Sequence, residues 1–353
     1  MTIKEILATA PEGQEIVARG WVRTFRSKRF IALNDGSTIN NLQVVVDFEK
    51  FPEEELKRVT TSACLQVKGK LVASVGSGQT VELEADEVEV LGDSDAAAYP
   101  IQPKAHSLEF LREQAHFRWR TNTYSAIFRI RHHLSFSIHE YFHKKGFFNV
   151  HSPILTGSDA EGAGEMFQVT TLDMKKPPLT EEGEVDYKED FFGKPANLTV
   201  SGQLQAEIAA LALGKVYTFG PTFRAENSNT TRHLAEFWMV EPEVAFAELE
   251  DNKNLAEDFL KYLIQSTLEH CADDLKFLDE RLAKEESQKA KNERREMGLL
   301  DTLKFCIENP FARITYTEAV EILQRSKPYK EKKFQYLVDW VKDLQSEHER
   351  YLV

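Results

Sequence analysis

The chain has few cysteines, no long hydrophobic run and no apolar stretch among its first residues. Its three cysteines lie far apart, at positions 64, 271 and 306. That spacing excludes a structural zinc finger and a disulfide framework, and it suits a reducing cytosol. No stretch approaches the roughly 20 apolar residues of a membrane span, and the first residues lack the apolar core of a secretory signal. We therefore expect a soluble cytoplasmic protein.

An excess of positive charge is also absent. The chain of 353 residues has 44 lysines and arginines against 57 aspartates and glutamates, a formal net charge of −13. Such a protein does not coat nucleic acid non-specifically, so contact with RNA requires a local basic patch. Residues 104–145 are more basic than the rest of the chain, with eight lysines and arginines against three glutamates. Composition is otherwise that of a globular protein, and the length predicts roughly two or three domains.

The N-terminal region has the pattern of a small β-barrel. Short apolar or alternating runs, such as VELEADEVEV at residues 81–90, predict strands, and Pro52 starts a short helix between the third and the fourth. This order matches an OB-fold, and another small barrel or sandwich is the alternative. The predicted strands are residues 15–24, 29–33, 42–47, 64–73 and 81–90, with the helix at 52–58.

A linker of small residues and prolines at 92–105 separates this region from a mixed second part. There the spacing of apolar residues predicts a helix that Gly146 ends, and then a strand broken by Pro153. An acidic segment at 171–195 reads as an exposed insertion. The further predicted elements are helix 201–213 with Ser201 as its N-cap, strands 216–223 and 236–244, and charged helices at 249–298, including a solvated stretch at 280–295, and at 328–353.

The predicted strands 216–223 and 236–244 place charged and aromatic side chains on one face of a sheet. Alternate residues of a strand share a face, so a guanidinium, several carboxylates and an aromatic ring come together. Burying such charges is unfavourable unless they are paired or bind a ligand, and a nucleotide suits the set. Surface salt bridges at a solvated sheet edge are the alternative. The residues are Thr222, Arg224, Glu226, Phe237, Met239, Glu241 and Glu243, with His233 on the adjoining loop.

At these residues the sequence resembles the class II aminoacyl-tRNA synthetases of the aspartyl, asparaginyl and lysyl group. Residues 223–237, FRAENSNTTRHLAEF, resemble motif 2 of that class, and residues 146–153, GFFNVHSP, with the preceding helix resemble motif 1. EGAGEMF at 161–167, SGQ at 201–203 and FWMVEPE at 237–243 are similar to the asparagine-specific members. The resemblance covers about residues 15–250.

The resemblance implies a multidomain α+β fold, an OB-fold followed by a class II antiparallel-sheet catalytic domain. Residues 1–95 would be the OB-fold anticodon-binding domain, 96–115 a hinge, and 116–353 the catalytic domain. Within the last, motif 1 would span about 124–155, motif 2 about 216–244, and a helical region 249–353. Motif 1 also implies a homodimer. The chain resembles the N-terminal three-quarters of such an enzyme, because the third motif, with an ATP-clamping arginine, is not found before Val353, and the expected magnesium ligands lie beyond that residue too.

The implied reaction is ATP-dependent, with Mg²⁺: asparagine becomes asparaginyl-adenylate and is then transferred to the 3′ end of tRNA(Asn). Position by position, Arg224 would grip the α-phosphate, Glu226 the adenine amino group and His233 the γ-phosphate, while Phe237 would stack on adenine. The loop 227–231 would approach the acceptor end of the tRNA. The remaining implied site residues are Glu161, Ser201 and Gln203 for the ammonium of the amino acid, and Arg26, Phe30, Gln43 and Glu84 for the anticodon.

The substrate side chain is expected to be a carboxamide. Ala206 stands where aspartyl enzymes carry a lysine, and the Glu241 carboxylate would accept a hydrogen bond from an amide NH₂ but repel a carboxylate. An aspartyl-type ligase is therefore disfavoured. A non-catalytic, dimeric tRNA-binding module stays open as an alternative, since part of the expected ATP site is not found.

Overall fold

The computed structural model describes residues 1–9, 12–74, 79–160, 162, 165–227, 233–291 and 294–353. These residues form two compact units, Met1–Leu300 and Asp301–Val353. In the described part of the chain, no helix is both long and apolar enough to cross a membrane.

The N-terminal region of the first unit is a closed barrel, with the strand order β1-β2-β3-β5-β4. It closes because β1 pairs with both β2 and β4, and β3 runs parallel to β5. A short helix, α2 (Glu53–Lys57), lies between the third and fourth strands, so the OB-fold prediction is confirmed. The strands are β1 (Glu15–Arg26), β2 (Phe30–Asn34), β3 (Leu42–Val45), β4 (Cys64–Ala73) and β5 (Val81–Gly92).

The barrel core comes from alternate residues along the strands, which face inward. A short helix makes a further contribution that the sequence pattern did not predict. Helix α1 (Ile3–Thr9) packs Ile3 and Ile6 into this core, and each is 1% exposed. The backbone N–H of Ile3 also donates to Asp35 Oδ2 at 2.8 Å. At seven residues, the helix is too short for apolar periodicity to reveal it.

The second part of this unit is built on a helix and two small sheets. Helix α4 ends at Lys144, and Gly146 has a φ of +80°, as expected of a helix terminus. The break at Pro153 is confirmed, because the strands on either side belong to different sheets, of order β11-β10-β6 and β7-β9-β8. The elements are α3 (Leu108–Glu113), α4 (Asn122–Lys144), β6 (Phe148–Asn149), β7 (Leu155–Thr156), β8 (Gln168–Val169), β9 (Ala196–Leu198), α5 (Gln203–Leu213), β10 (Lys215–Phe223), β11 (Glu236–Val244), α6 (Leu249–His270) and α7 (Ala272–Ser287).

Aromatic packing holds α4 against the sheet and α6. Phe142 is fully buried and stacks on Tyr217 of β10, with ring centroids 4.4 Å apart. The ring of Phe259 in α6 also contacts Phe142, with the two ring centroids 5.0 Å apart. The opposite face of β10 and β11 is therefore left for the site described below.

Several helix predictions need correction. Helix α5 begins at Gln203 with Gly202 as its N-cap, so Ser201 lies outside the helix. Helix α7 ends at Ser287, so the predicted solvated helix at 280–295 stops there, and residues 288–290 are not helical. Residues 331–345, predicted as helix from their charge, are also irregular. Charge composition alone does not define a helix when no apolar stripe anchors it.

The remaining helices are α8 (Leu299–Glu308), α9 (Tyr316–Arg325), α10 (Lys327–Lys330) and α11 (Ser346–Leu352). Within the second unit, Val320 and Leu323 of α9 pack against Val338 of the irregular segment. His348 of α11 is fully buried beside Phe334, with the two rings 5.0 Å apart. This small core explains why the irregular segment is held in place without helical structure.

An ion pair connects the barrel to the helices. Arg129 of α4 contacts both carboxylate oxygens of Asp274 in α7, at 2.7 and 3.0 Å, and donates to the carbonyl of Gly36 in the barrel at 3.1 Å. The two side chains are 21% and 10% exposed. Because a partly buried charge left without its partner is strongly unfavourable, this pair fixes the junction.

We predict that Asp274→Ala lowers the free energy of unfolding by about 3 kcal/mol, since it leaves the Arg129 guanidinium without its carboxylate. Asp273→Ala is the matched control: that neighbouring carboxylate is exposed and accepts a hydrogen bond from Asn40 at 2.8 Å. We expect it to change stability by less than about 1 kcal/mol. Urea denaturation measures both, and equal losses in the two variants would contradict the assigned role of the pair.

Candidate active site

The register of β10 and β11 places the predicted face on one side of the sheet. Glu241 pairs with Thr218, Met239 with Gly220, and Phe237 with Thr222. Strand β10 ends at Phe223, so Arg224 lies just beyond the strand on which it was placed. Its side chain nevertheless reaches the same face, as its contacts with β11 show below.

The carboxylate of Glu241 is held by donors from two elements. Thr218 Oγ1 donates to Oε2 at 2.7 Å, the backbone N–H of Gly202 donates to the same oxygen at 3.1 Å, and Ser201 Oγ donates to Oε1. Together these residues form the Glu241 clamp. The clamp leaves the carboxylate with one fixed orientation on the open face of the sheet.

Glycine is required at position 202 because the helix start approaches its neighbours closely. A Cβ atom there would lie 2.8 Å from both Ser152 Oγ and Thr218 Oγ1. Real Cβ atoms do not approach that closely, so a side chain would push α5 away from β10 and open the clamp. The Ser-Gly-Gln sequence thus supplies a hydroxyl, a close backbone approach and a helix start in three consecutive residues.

Arg224 lies over the ring of Phe237. Its guanidinium carbon is 5.4 Å from the ring centroid, and one terminal nitrogen is 4.0 Å from the sulfur of Met239. Its Nε is buried and has no hydrogen-bond partner among the described residues. A buried guanidinium N–H without an acceptor is unusual in a folded protein, and it suits a site that an anionic ligand completes.

Glu226 and His233 flank the loop between the two strands. The imidazole Nε2 of His233 is 3.8 Å from Glu226 Oε2, and the side chains are 45% and 33% exposed. Residues 228–232 lie outside the described part of the chain, and with them most of the loop predicted to approach the tRNA acceptor end. The structure thus brings the two predicted ATP contacts to the same edge of the site.

The three residues predicted to hold the ammonium group of the amino acid differ in the contacts that the structure shows for them. Glu161 lies outside the described residues. Gln203 donates to Glu207 Oε1 at 2.8 Å. The Ser201 hydroxyl donates to Glu241 and accepts from the backbone N–H of Gln203 at 3.0 Å, so among the described residues one lone pair of its oxygen has no donor.

A second carboxylate beside the clamp is Glu243, two residues further along β11. Burial raises the pKa of Glu243, and the negative charges of Glu207 and Glu241 raise it further. At this end of the face the clamped carboxylate of Glu241 would attract an ammonium or amide group and repel a carboxylate.

We predict that Glu243→Gln is more heat-stable than the unmodified protein at pH 8, and that this difference shrinks toward pH 4. A raised pKa means that the folded state binds the proton more tightly than the unfolded state does. Stability from this carboxyl is therefore present below about pH 4 and lost as the pH rises through the folded pKa. Thermal melting of both proteins across this pH range measures the difference. A variant that is equally or less stable at pH 8 would contradict the burial argument.

The predicted anticodon residues share one outer surface of the barrel. Arg26 pairs with Phe30, Phe30 with Val45, and Val45 with Glu84. Side chains of paired residues project to the same side of a sheet, and Gln43 joins them because it lies two positions from Val45. The barrel thus brings all four predicted residues together across β1, β2, β3 and β5.

Two of these four side chains already have neighbours. Gln43 Nε2 donates to Glu82 Oε2 at 2.9 Å, and the Arg29 guanidinium lies 5.6 Å from the Phe30 ring centroid. Arg26 and Glu84 are exposed. An aromatic ring with cations and hydrogen-bonding groups beside it is suited to stacking on an unpaired base.

Two donors of the Glu241 clamp were not predicted from the sequence: the backbone N–H of Gly202 and the hydroxyl of Thr218. The pairing of β10 with β11 was a usable signal for Thr218, since the register sets it opposite Glu241. The contribution of Gly202 had no such signal, because it depends on how closely α5 approaches the sheet.

Comparison with known proteins supports this picture. The family described as class II tRNA synthetases (D, K and N) matches residues 107–353, and the OB-fold nucleic acid binding domain matches residues 16–91. An asparagine–tRNA ligase of Cytophaga hutchinsonii is 58% identical over 356 residues, which cover 99% of this chain and 73% of the relative. One of Porphyromonas gingivalis is 56% identical over 344 residues, covering 97% of this chain and 70% of the relative.

A solved structure agrees in fold. The asparaginyl-tRNA synthetase of Pyrococcus horikoshii, crystallised with asparaginyl-adenylate, is 29% identical, with a TM-score of 0.78 over all of this chain and 71% of that one. The family match covers more than half of the present sequence, and the bacterial relatives exceed 50% identity over nearly all of it. The chain therefore belongs to the class II tRNA synthetases of the aspartate, lysine and asparagine group.

Proposed function

We propose that the chain is an asparagine–tRNA ligase, which activates asparagine with ATP and transfers it to the 3′ end of tRNA(Asn). The relatives with the highest identity reported above carry this activity in their names. The structural observation that carries the proposal is the Glu241 clamp, because it fixes a hydrogen-bond acceptor where the substrate side chain would lie.

The clamp leaves room for one further donor. An ionised carboxylate offers about four acceptor positions. Ser201, Gly202 and Thr218 use three of them. The carboxamide NH₂ of asparagine can supply the fourth hydrogen bond, whereas the carboxylate of aspartate would bring a second negative charge to Glu241.

Helix α5 adds to this selectivity. Ala206 is fully buried and packs with Val216 of β10 and Val150. The helix therefore offers no ammonium group at the position where a lysine would pair with a substrate carboxylate. Misplaced or unpaired charge in a closed site discriminates strongly between such similar substrates.

ATP would lie along the other end of the face. Arg224 is the group to grip the α-phosphate, since its buried Nε has no partner in the described part of the molecule. In that arrangement Phe237 stacks on adenine, while Glu226 and His233 contact the adenine amino group and the γ-phosphate. These roles rest on the family resemblance and on the proximity of the four side chains.

The chemistry needs no covalent intermediate with the protein. A carboxylate oxygen of asparagine attacks the α-phosphorus, and pyrophosphate leaves. A terminal ribose hydroxyl of the tRNA then attacks the carbonyl carbon of the adenylate, and AMP leaves. Arg224 would stabilise the charge that develops on the α-phosphate, and the clamp would hold asparagine in line, so positioning and electrostatics carry the catalysis.

Magnesium would enter as the companion of ATP, as the resemblance implies. Among the described residues, no group of three or more histidine, cysteine or acidic side chains comes together to hold a metal ion. The resemblance places the expected magnesium ligands beyond Val353, and the steps above draw only on side chains within this chain.

The proposal includes a cytoplasmic homodimer that reads the anticodon with the outer barrel surface. Several apolar side chains of the motif 1 region remain exposed, including Phe136 at 65%, Phe148 at 55% and Ile154 at 43%. Exposed apolar residues concentrated in one region favour a protein interface. Sedimentation across a range of concentrations tests the dimer, and a monomer throughout would overturn it.

ATP–pyrophosphate exchange, with asparagine and aspartate in parallel, tests the function. Because the chain spans about three-quarters of the relatives' length, the assay uses it both alone and joined to a segment carrying the third motif. Exchange with asparagine only supports the ligase. Exchange with aspartate overturns the side-chain specificity. No exchange by the joined protein, with tRNA binding retained, leaves the non-catalytic binding module.

A further inference from the structure

A second cavity lies away from the catalytic face, between the barrel and helices α4 and α7. Its volume is about 860 Å³, and Arg23 of β1, the start of α4 and Arg281 of α7 contribute to its walls. Tyr99 and residues 101–106 line a further side. Neither Arg224 nor Glu241 lines it. This size falls within the range of small-molecule sites in proteins.

The cavity is basic, although the chain as a whole is acidic. Among the described residues one acidic side chain lines it, Glu280, and α4 adds the N-terminal end of a 23-residue helix, which favours anions. Part of this charge comes from the basic segment at 104–145, which the catalytic site does not use. The basic side chains of the wall are Arg23, Lys104, Arg120, Arg281 and Lys284.

Two of these arginines have no carboxylate partner among the described residues. Arg23 donates to the backbone carbonyl of Arg120, and Arg120 donates to Ser62 Oγ at 2.7 Å. Burial lowers the pKa of Arg23, and the positive charges of Arg129 and Arg120 lower it further. By contrast, Arg281 is compensated by Glu285 at 3.0 Å. Neighbouring guanidinium groups without a counter-charge are stabilised when an anion binds.

Aromatic side chains lie beside these charges. Trp119 stacks on Phe128, with ring centroids 3.7 Å apart, and still remains 50% exposed. Trp21 is 42% exposed on the barrel wall. The third ring is Tyr99, over which Arg120 lies at 5.8 Å. A planar ligand can therefore stack in the same cavity in which its anionic group is neutralised.

We propose that this cavity is a binding site for a mononucleotide-sized anion, with the phosphate between Arg23 and Arg120 and the base against Trp119. Residues of the barrel, the linker and the helices line the site, and its volume suits a ligand of this size. Since the walls belong to both the barrel and the helices, the bound anion would hold them together. Binding therefore stabilises the junction against heat.

Isothermal titration calorimetry with guanosine 5′-monophosphate tests the proposal, and ribose 5-phosphate and inorganic phosphate are the comparison ligands. Guanosine is used so that binding at the adenine-selective face is not confused with this site. We expect Arg23→Gln and Arg120→Gln each to weaken the nucleotide at least about tenfold, the usual effect of losing a charged hydrogen bond. Trp119→Ala should weaken the nucleotide and leave ribose 5-phosphate unchanged.

Two controls separate the site from general charge effects and from the catalytic face. Arg19→Gln makes the same charge change on β1, at a side chain that does not line the cavity and binds Gln66 at 2.7 Å. It should bind the nucleotide normally, as should Arg224→Ala. If Arg23→Gln fails to fold, Arg120→Gln still tests the site, because the Arg120 side chain is exposed. The proposal would be overturned if the nucleotide gave no heat of binding, or if both arginine variants bound it as tightly as the unmodified protein does. Binding of tRNA without binding of the nucleotide would also overturn it, by assigning the cavity to RNA.

Discussion

Arg224→Ala is expected to slow asparagine-dependent ATP–pyrophosphate exchange by about 100- to 1000-fold in the chain joined to a segment carrying the third motif. A preorganised donor aimed at developing charge contributes about 2.7–4 kcal/mol to the transition state. Arg224 is placed for that role because it stacks over Phe237 and its buried Nε has no acceptor in the described part of the fold. Pre-steady-state measurement of adenylate formation gives the effect directly.

The loss should be catalytic and not structural. Removing a guanidinium whose Nε lacks a partner leaves few protein groups unsatisfied, so thermal melting of the variant should match that of the unmodified protein. Arg224→Lys keeps the charge without the planar fork and should fall between the two. Arg112→Ala, which removes an exposed arginine 4.0 Å from Glu109, is the control for the loss of one positive charge. Unchanged exchange in Arg224→Ala would overturn the assigned role.

The barrel could be predicted from sequence in part because β4 and β5 alternate apolar and polar residues, as in VELEADEVEV at 81–90. In β1 the structure buries residues 16, 18, 20 and 22, but Val17 and Trp21 on its outer face are apolar too, so its composition predicted a strand and not its inner face. Helix α1 lacked such a signal at seven residues. The helix prediction for residues 331–345 was wrong for the opposite reason. Their charge suggested a helix, but part of the segment packs against Val320 and Leu323 without helical structure.

The site was predictable to the extent that it lies along one strand. Alternation in β11 placed Phe237, Met239 and Glu241 together without knowledge of the fold. The clamp was not predictable, because it joins Ser201 to Glu241 across 40 residues of sequence and depends on the close approach of Gly202. Family resemblance gave Ser201 a direct role toward the ammonium, whereas the structure shows its hydroxyl bonded to Glu241. Residue identity indicates which chemistry is available, and packing decides which partner uses it.

The same clamp leads to the second large effect. Glu241→Gln is expected to lower kcat/KM for asparagine by about 1000-fold, or about 4 kcal/mol of transition-state stabilisation. A glutamine amide can accept through its oxygen only. Its NH₂ group would face donors that now bind the carboxylate, including the Gly202 N–H, and the substrate would lose its acceptor.

Discrimination against aspartate should fall in the same variant, because the negative charge that repels a substrate carboxylate is removed. Glu243→Gln is the matched control: it makes the same chemical change two residues away on the same face but outside the clamp. Its ratio of asparagine to aspartate activation should stay close to that of the unmodified protein. If Glu241→Gln kept that ratio while remaining folded by thermal melting, the selectivity would have to come from residues other than the clamp.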